Sequence, residues 1–504
     1  MKPAQIVLFG IVTVLSACTS GNSGGSSNPV VSDGIPAVAR GSRPSAPVCD
    51  ATASSSLVNW RTSTGQDLVK PNAVLKRQEG SQAFVPDTLF SVLYATKSIL
   101  NTYYYGFSTV DLNATHKTYE DSFRALKGNL ANAVLKNTND SSIDTPMGKY
   151  LDSFKDLHTY YLNPSSYGNR QAVSTGAAQP TASLGFKDYV IFKNSGIMLL
   201  DVEGDSPLFK AGLRRGDKIF KVDGVALTEK ANFDATDQAY GELIFNAGKK
   251  ATPVAIEYVR KGQTATVTAT LTGAVLPAGE LPWGEVIPDG TGSSLFYIRV
   301  PNFSVFGGGA ATGTGEKVHA LVAQAKAANA KGIVLDLRYN GGGLLFEGIA
   351  TVGALAPSKA LQKVEYLDGS DTVYRYDAAQ VKVSDNCGGT GSVDVTGSSE
   401  WTGKIAILQS KGSASASEVT AQLLKQSGRA TIIGEETVGI GNTTTFTFPV
   451  SSGRAISVTA GRSRDGAGNY LTATVKPDIA AADDIGALSQ GNDLALEAAR
   501  SNLK

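Results

Sequence analysis

The sequence Gly-Ser-Ala-Ser-Ala-Ser-Glu at residues 412–418 places three serines among small residues, between two apolar segments. The segment before it, residues 404–409, predicts a buried strand, and the apolar spacing after it predicts a helix. A serine at the start of a helix lies beside backbone N–H groups that have no partner within the helix. Such groups can stabilise the oxyanion of an acyl-transfer reaction. Ser415 is therefore a candidate nucleophile, although a serine at this place is also an ordinary helix N-cap.

Two segments resemble the C-terminal processing, or tail-specific, serine peptidases. Residues 412–424 are similar to the nucleophile segment of that family, and residues 331–345 are similar to its strand and glycine turn. In the family this turn usually reads Asn-Pro-Gly-Gly and donates a backbone N–H to the oxyanion hole, which glycine favours because it lets the backbone approach the substrate. The resemblance implies an oxyanion hole formed by the N–H groups of Gly342 and Ala416. Gly341 stands where the family usually has proline.

Residues 182–275 resemble a PDZ domain. The likeness starts from the apolar segment 195–202 and continues through Ser-Pro-Leu, Ala-Gly-Leu and Gly-Asp-Lys-Ile in the expected order. PDZ domains add an extended peptide to a sheet edge and hold its C-terminal carboxylate with backbone N–H groups of a loop. The resemblance assigns this loop to Leu184, Gly185 and Phe186. The alternative is a β-rich insertion with ordinary Gly-Asp turns.

The sequence departs from the family at the general base. Serine/lysine members carry their base in a Gly-Lys-Gly turn after the nucleophile, and the aligned residue here is Ile440. A glutamine that often follows in the family is replaced by Thr444. Isoleucine cannot accept a proton, which excludes the usual serine/lysine dyad at this position. Either another residue is the base or the protein does not cut.

His158 is the best replacement for the missing base. It lies in Asp-Leu-His-Thr, which resembles the family segment that precedes the PDZ domain. In the related tricorn-type peptidases the histidine of this segment is the general base, and imidazole suits proton transfer near neutral pH. Many lysine-using members also carry the histidine. A structural histidine that joins the N-terminal region to the core therefore remains the alternative.

A base needs an orienting partner, for which Glu436 is our candidate. It lies beside Glu435 in the loop that has lost the lysine, where an acidic residue would suit an imidazolium. Glu418, in the first turn of the predicted helix, is more simply explained as a complement to the helix dipole. The other histidines, His116 and His319, fall in helical stretches and are predicted to be solvated.

The first residues predict export. The apolar residues 6–15 are too few to span a bilayer, and the sequence then reads Leu-Ser-Ala-Cys, which resembles a bacterial lipobox. We expect residues 1–18 to be a lipoprotein signal peptide that leaves Cys18 as a lipidated N-terminus. Thr19 follows instead of aspartate, which favours the outer membrane, facing the periplasm. Residues 19–48 are rich in Ser, Gly, Asn and Pro and predict a flexible tether. A plain secretory signal with a coincidental cysteine is the alternative.

Two further cysteines remain, Cys49 and Cys387. An exported, oxidising compartment makes them a plausible disulfide pair. They lack a CxxC spacing and a neighbouring histidine, which argues against a metal site, and we expect no metal and no cofactor. Charged residues make up 18% of the chain and the formal net charge is +1, so the composition gives no indication of nucleic-acid binding.

The pattern of segments predicts an α/β multidomain protein of the α+β kind. We expect a helical N-terminal region at residues 49–180, with helices at 87–104 and 119–135 and Asp87 as an N-cap. A β-rich PDZ domain at 182–275 and a peptidase core at 276–504 follow. Strands and helices alternate within the core, which predicts helices packed on a mixed sheet.

These features together predict an exported serine endopeptidase. It would hydrolyse peptide bonds in unstructured or C-terminal segments of proteins, and the PDZ domain would recognise the tail. The partners would be protein or peptide substrates with free C-terminal tails, together with a membrane reached through Cys18. Ile440 keeps two alternatives open, namely a catalytically inactive pseudoprotease that binds tails and a peptide-binding or carrier protein of the cell envelope.

Overall fold

The computed structural model describes a defined part of the 504-residue chain. The described residues are 8–10, 92–93, 96–97, 99–100, 104–105, 112–127, 143–174, 182–192, 196–227, 243–244, 246–250, 252–276, 280–306, 312–367, 369–451 and 453–504. Cys18, Cys49, Asp87 and the expected tether at 19–48 lie outside them.

Helices and strands are numbered here in chain order. The helices with described bounds are α1 (Leu112–Lys127), α2 (Asp144–Asp152), α3 (Pro164–Ser174), α4 (Pro207–Lys210), α5 (Thr314–Ala327), α6 (Leu345–Leu355), α7 (Ala416–Lys425), α8 (Ile485–Ser489) and α9 (Leu494–Asn502). The first strands are β1 (Leu8–Gly10), β2 (Tyr160–Leu162), β3 (Ala182–Ser183), β4 (Phe186–Phe192), β5 (Gly196–Val202), β6 (Lys218–Val222), β7 (Val225–Ala226), β8 (Val254–Val259), β9 (Thr266–Leu271) and β10 (Ala274–Val275). The later strands are β11 (Trp283–Pro288), β12 (Ser294–Arg299), β13 (Val305–Phe306), β14 (Thr312–Gly313), β15 (Gly332–Asp336), β16 (Leu361–Tyr366), β17 (Asp371–Asp377), β18 (Gln380–Asp385), β19 (Thr390–Asp394), β20 (Lys404–Gln409), β21 (Ala430–Gly434), β22 (Thr443–Ser451), β23 (Arg454–Asp465) and β24 (Ile479–Ala480).

The central sheet has the strand order β11-β12-β15-β20-β21-β24. Its neighbours from β12 to β24 are parallel and β11 is antiparallel, which makes the sheet mixed, as predicted. Both faces are covered, and this explains the continuous apolar runs of β15 and β20. Ile333 and Leu335 pack into the core that includes α5, α6 and α7. Val334, on the opposite face, packs with Ala495 and Ala499 of α9.

A second, antiparallel sheet has the order β19-β18-β17-β16-β23-β2, with β22 also paired to β23. Its strand β2 begins two residues after His158 and pairs with β23 through Tyr160 and Ser457. This pairing carries His158 from the N-terminal part of the chain to the C-terminal part. The pattern of segments in the sequence did not predict the strands between residues 361 and 394.

A third sheet has the order β1-β4-β5-β6-β8-β9, with β7 paired to β6. It encloses its own apolar core, which includes Ile197, Leu208, Leu213 and Ile256. Ser206 caps α4 by accepting a hydrogen bond from the Phe209 N–H. These strands span the segment for which the sequence predicts a PDZ domain.

The N-terminal region contains helices, but their bounds differ from the prediction. Helix α1 covers residues 112–127 and so begins before the predicted start at residue 119. None of the helices in the described parts of the chain is long and apolar enough to cross a membrane.

Candidate active site

Ser415 lies in a sharp turn between β20 and α7. Its backbone angles are φ +54° and ψ −120°, in a region that residues with a side chain rarely adopt. A strand, a strained turn and a helix in this order form the kind of elbow that presents a nucleophilic serine in many hydrolases. The Ser415 N–H donates to Oε2 of Glu418 at 2.7 Å, which holds the turn against the first turn of α7.

The turn of Ser415 is joined to the glycine turn that follows β15. The Ser413 hydroxyl donates to the Leu337 carbonyl at 2.8 Å. The Ala414 N–H donates to the Asn340 carbonyl at 2.9 Å. Because β15 and β20 are parallel neighbours, both turns leave the same edge of the sheet, and these bonds fix one against the other.

Gly342 lies directly against the nucleophile turn. Its φ is +100°, and a Cβ at this position would come within 2.7 Å of the Ser415 Cβ and 3.0 Å of the Ala416 nitrogen. Only glycine therefore fits. The Gly342 N–H donates to Oδ1 of Asn340 at 2.8 Å, so it must share or exchange this bond to reach an oxyanion. The Ala416 N–H is in the first turn of α7, where the helix supplies no acceptor. The oxyanion roles of Gly342 and Ala416 stay predictions.

Glu418 has a larger structural role than the sequence indicated. Its side chain is fully buried. Besides the Ser415 N–H, its carboxylate accepts the N–H of Gly439 at 2.8 Å, the N–H of Ile440 at 3.0 Å and the hydroxyl of Thr437. Burial raises its pKa to about 7, although these hydrogen bonds oppose the shift. Glu418 thus ties the nucleophile turn to the loop that carries Ile440, and the dipole explanation was incomplete.

Ile440 is buried in that loop and contributes backbone contacts. Its N–H donates to Glu418 and its carbonyl accepts the Thr443 hydroxyl at 3.3 Å. Ile440 aligns with the base lysine of the C-terminal processing peptidases that the sequence resembles. In this chain the position has a structural function.

His158 packs against the same loop. It is buried, and its Nδ1 lies 2.7 Å from Oγ1 of Thr443. The His158 N–H donates to Oδ1 of Asp156 at 2.9 Å. Burial lowers the pKa of the imidazole to about 4, which nearby Asp156 opposes and Arg170 reinforces. His158 is consequently neutral at physiological pH, the form that can accept a proton.

The structure does not bring Glu436 to His158. Glu436 is exposed and accepts a hydrogen bond from the Thr474 hydroxyl at 2.7 Å. The imidazole Nδ1 is paired with Thr443 instead. Glu436 points to the other side of the loop because Thr437, the next residue, turns inward to Glu418. Sequence spacing alone did not reveal Thr443, since the contact depends on the pairing of β2 and β22 with β23.

The other two histidines are buried, so the prediction that they are solvated was wrong. His116 lies 3.5 Å from the Tyr150 hydroxyl through Nδ1. His319 lies close to two backbone carbonyls, those of Ser399 at 2.7 Å and Ala350 at 3.2 Å. Both side chains fill internal faces of helices.

The predicted peptide-binding loop lies at the start of β4. The side chains of Leu184 and Phe186 are buried in the core of the third sheet. Gly185 has φ +93°, and a Cβ there would overlap the Ser206 side chain. Its N–H donates to the Ser183 hydroxyl at 2.9 Å. The binding role of these residues stays a prediction.

Cys387 is disulfide-bonded. The other cysteines of the chain, Cys18 and Cys49, lie outside the described residues, so the pairing with Cys49 stays a prediction. Within the described ranges, no group of three or more His, Cys, Asp or Glu side chains is arranged to hold a metal ion.

The sharp turn of Ser415, the adjoining glycine turn and the mixed α/β sheet are typical of serine hydrolases. Residues 294–481 match the model of peptidase family S41. A carboxyl-terminal-processing protease of Synechocystis is 28% identical over 318 residues, which cover 63% of this chain and 66% of that protein. The carboxy-terminal processing protease CtpA of Bacillus subtilis is 24% identical over 311 residues, covering 62% and 57%. The chain therefore spans about two thirds or less of the length of these relatives.

Two solved structures also align with this chain. The photosystem II D1 C-terminal processing protease aligns over 81% of this chain and 99% of its own, with 23% identity and a TM-score of 0.40. A putative S41 protease from Bacteroides fragilis aligns over 65% and 83%, with 19% identity and a TM-score of 0.47.

Proposed function

We propose that this chain is a serine endopeptidase that cuts unstructured or C-terminal segments of proteins, with Ser415 as nucleophile and His158 as general base. One observation carries the proposal. The strained turn of Ser415 is tied through Glu418 to the loop of Ile440, and His158 packs on that loop through Thr443. The names of the curated relatives, carboxyl-terminal-processing proteases, support the substrate class.

In this mechanism, Nε2 of His158 removes the hydroxyl proton of Ser415 as Oγ attacks the scissile carbonyl. The N–H groups of Ala416 and Gly342 stabilise the tetrahedral oxyanion. The imidazolium then donates its proton to the leaving amine, which gives an acyl-enzyme. Water hydrolyses the ester after the same imidazole has taken one of its protons. The low pKa of His158 keeps this base deprotonated between turnovers.

Recognition of the substrate tail by a PDZ domain is the second part of the proposal. The outer edge of β4 is the edge on which β1 pairs, antiparallel, with Leu8 opposite Val190. PDZ domains add a peptide to a sheet edge in this way. This pairing supports, for β4, the role of peptide acceptor beside Leu184, Gly185 and Phe186, and removal of residues 1–18 with the signal peptide would leave the edge open.

Export and lipid anchoring at Cys18 complete the proposal and rest on the lipobox-like sequence. Cells grown with a labelled fatty acid would incorporate the label into the wild-type chain and not into Cys18→Ser. Equal labelling of both chains would show that Cys18 is not the lipidated residue. Fractionation of the same cells would test the outer-membrane assignment.

The central experiment measures cleavage of an unstructured protein with an apolar C-terminus by the full chain, with products identified by mass spectrometry. Wild type is compared with Ser415→Ala, His158→Gln and the matched control His116→Gln. We expect cleavage by wild type and by the control, and loss of cleavage in the other two. Cleavage that needs Ser415 and survives His158→Gln would place the base elsewhere.

Ile440 favours one other function, a pseudoprotease that binds tails without cutting them, because it removes the lysine of the resembling family. A wild-type chain that binds the tail peptide and leaves it intact would establish the pseudoprotease function.

A further inference from the structure

Thr443 contacts both His158 and the Ile440 carbonyl. Its Oγ1 lies 2.7 Å from His158 Nδ1 and 3.3 Å from the Ile440 carbonyl. Thr443 and His158 are both at least nine-tenths buried, so water does not readily replace either contact. The hydroxyl therefore links the imidazole to the loop that Glu418 ties to the Ser415 N–H.

A hydroxyl has one hydrogen to donate, and this decides the protonation of the ring. If Thr443 donates to the Ile440 carbonyl, its oxygen accepts the hydrogen of Nδ1, and both hydrogen bonds are made. If Thr443 donates to Nδ1 instead, the hydroxyl makes only that one bond, and the Ile440 carbonyl keeps the backbone N–H of Thr443 at 3.4 Å. Buried groups adopt the arrangement that satisfies more of them. The first arrangement leaves the lone pair on Nε2.

We propose that Thr443 is the positioning residue of the active site, which holds His158 in the tautomer with hydrogen on Nδ1 and leaves Nε2 as the base. This inference rests on the proposed function. Thr443 thereby takes the place that an aspartate or glutamate occupies in other serine hydrolases. A neutral hydroxyl stabilises an imidazolium less than a carboxylate does, and the charged groups that act on His158 are Asp156 and Arg170.

The assignment agrees with the positions of Glu436, the candidate partner from the sequence, and of Glu418. Glu436 is exposed and bound to Thr474. Glu418 is engaged with backbone donors of the nucleophile turn and of the loop. Among the residues that the structure describes, the hydrogen-bond partner of Nδ1 is Thr443.

The test compares Thr443→Val, which keeps the shape and removes the hydroxyl, with Thr443→Ser, which keeps the hydroxyl. Peptide cleavage by the full chain is followed across pH, and the tautomer is read by ¹⁵N NMR of histidine-labelled protein. The chain has only three histidines, so His158→Gln assigns the signal. We expect Thr443→Val to lower kcat by about 10- to 100-fold with KM nearly unchanged, because general-base catalysis contributes roughly 10²- to 10⁴-fold. Thr443→Ser should retain activity within about threefold.

The NMR measurement separates this inference from the proposed function. Wild type should show hydrogen on Nδ1 of His158 and a free Nε2, and Thr443→Val should lose this preference. A wild-type ring with hydrogen on Nε2 would overturn the inference, and so would full activity in a folded Thr443→Val. If the wild type does not cut, the endopeptidase proposal fails, and the tautomer still decides the part assigned to Thr443. Thr443→Ser supplies the comparison should the valine variant unfold.

Discussion

At the scale of single residues, two buried groups titrate in opposite directions beside the nucleophile turn. Burial raises the pKa of Glu418 to about 7 and lowers that of His158 to about 4. Both shifts keep the buried group neutral over a wider pH range. The site thus contains a neutral imidazole and a carboxyl group that protonates near neutrality.

The first prediction concerns Glu418 and activity. Glu418→Gln replaces one carboxylate oxygen, which accepts hydrogen bonds, by an NH₂ group, which donates them. This group would face backbone N–H groups that also donate, so one of these donors would lose its acceptor. We expect kcat/KM to fall about tenfold or more, since an unsatisfied buried donor costs roughly 1–3 kcal/mol. Glu497→Gln, in the exposed part of α9, is the matched control and should cleave like wild type. Unchanged cleavage by Glu418→Gln would show that activity does not need the Glu418 hydrogen bonds between the turn of Ser415 and the loop of Ile440.

The second prediction concerns stability and pH. The pKa of an unfolded histidine is 6.5, and the folded state keeps His158 neutral below that pH. The contribution of His158 to the free energy of unfolding is therefore lost as pH falls from 6.5 to about 4. Glu418 acts in the opposite sense, because its pKa in the folded state exceeds its unfolded value of 4.5. Its contribution to the free energy of unfolding is lost as pH rises towards 7. Each shift corresponds to about 3 kcal/mol at most.

Urea unfolding between about pH 4.5 and 6.5 measures both effects, within the range that the two pKa shifts define. In wild type the contributions of His158 and Glu418 oppose each other, and each variant is compared with the wild-type slope. His158→Gln should make the chain less stable as pH rises, and Glu418→Gln should make it less stable as pH falls. Parallel slopes in all three proteins would contradict the prediction.

At the scale of secondary-structure elements, the site consists of two turns at one sheet edge. Parallel pairing of β15 and β20 brings the turns together, and the Ser413 and Ala414 bonds hold them. The turns meet at Gly342, where no side chain fits. The arrangement therefore depends on glycine at this position and on small residues around Ser415.

The third prediction is made at this scale. In Gly342→Ala, the new Cβ would lie 2.7 Å from the Ser415 Cβ, so the two turns must separate. We expect kcat/KM to fall about 100-fold or more, as displacement of reacting groups by about 1 Å has this effect. Gly468→Ala is the matched control, since Gly468 also has positive φ, +87°, and no atom within 4 Å of the new Cβ. Control activity should be unchanged, and an active Gly342→Ala would refute the close contact.

At the scale of the whole molecule, buried ion pairs join the third sheet to the peptidase core. Arg299 of β12 contacts Asp201 of β5 at 2.5 Å. Arg338, after β15, contacts Asp493 at 2.8 Å, and Arg215 contacts Asp493 at 3.3 Å. Burial alone would raise the pKa of Asp493, but the two arginines hold it below its usual value. The contacts fix the third sheet against the strand that leads into the glycine turn.

The fourth prediction is that Asp493→Asn destabilises the chain by about 1–3 kcal/mol, because Arg338 and Arg215 lose a shared carboxylate but keep Asp336 and Asp483 as partners. Asparagine caps the following helix as well as aspartate does, which excludes loss of the N-cap as the cause. Urea unfolding measures the change. Asp377→Asn, which removes an exposed ion pair with Lys382, is the control and should unfold like wild type. Equal stability of Asp493→Asn and Asp377→Asn would show that the ion pairs of Asp493 do not contribute to the free energy of unfolding.

The sequence by itself determined the local parts of this protein. Apolar runs gave β15 and β20, and small residues at 412–417 gave the turn and the start of α7, because these features depend on neighbours in the chain. Ser415 and the α/β class followed from them. Ile440 likewise showed that a serine/lysine dyad is absent from its usual place.

Only the tertiary structure decided which side chains meet. Thr443 faces His158 because β2 and β22 both pair with β23, from positions far apart in the chain. Glu418 is buried because the loop of Ile440 folds over α7, and Glu436 is exposed because its neighbour Thr437 turns inward. The strands β16 to β19 and the burial of His116 and His319 were missed for the same reason. Sequence patterns report local conformation, whereas contacts between distant segments depend on how the sheets pack together.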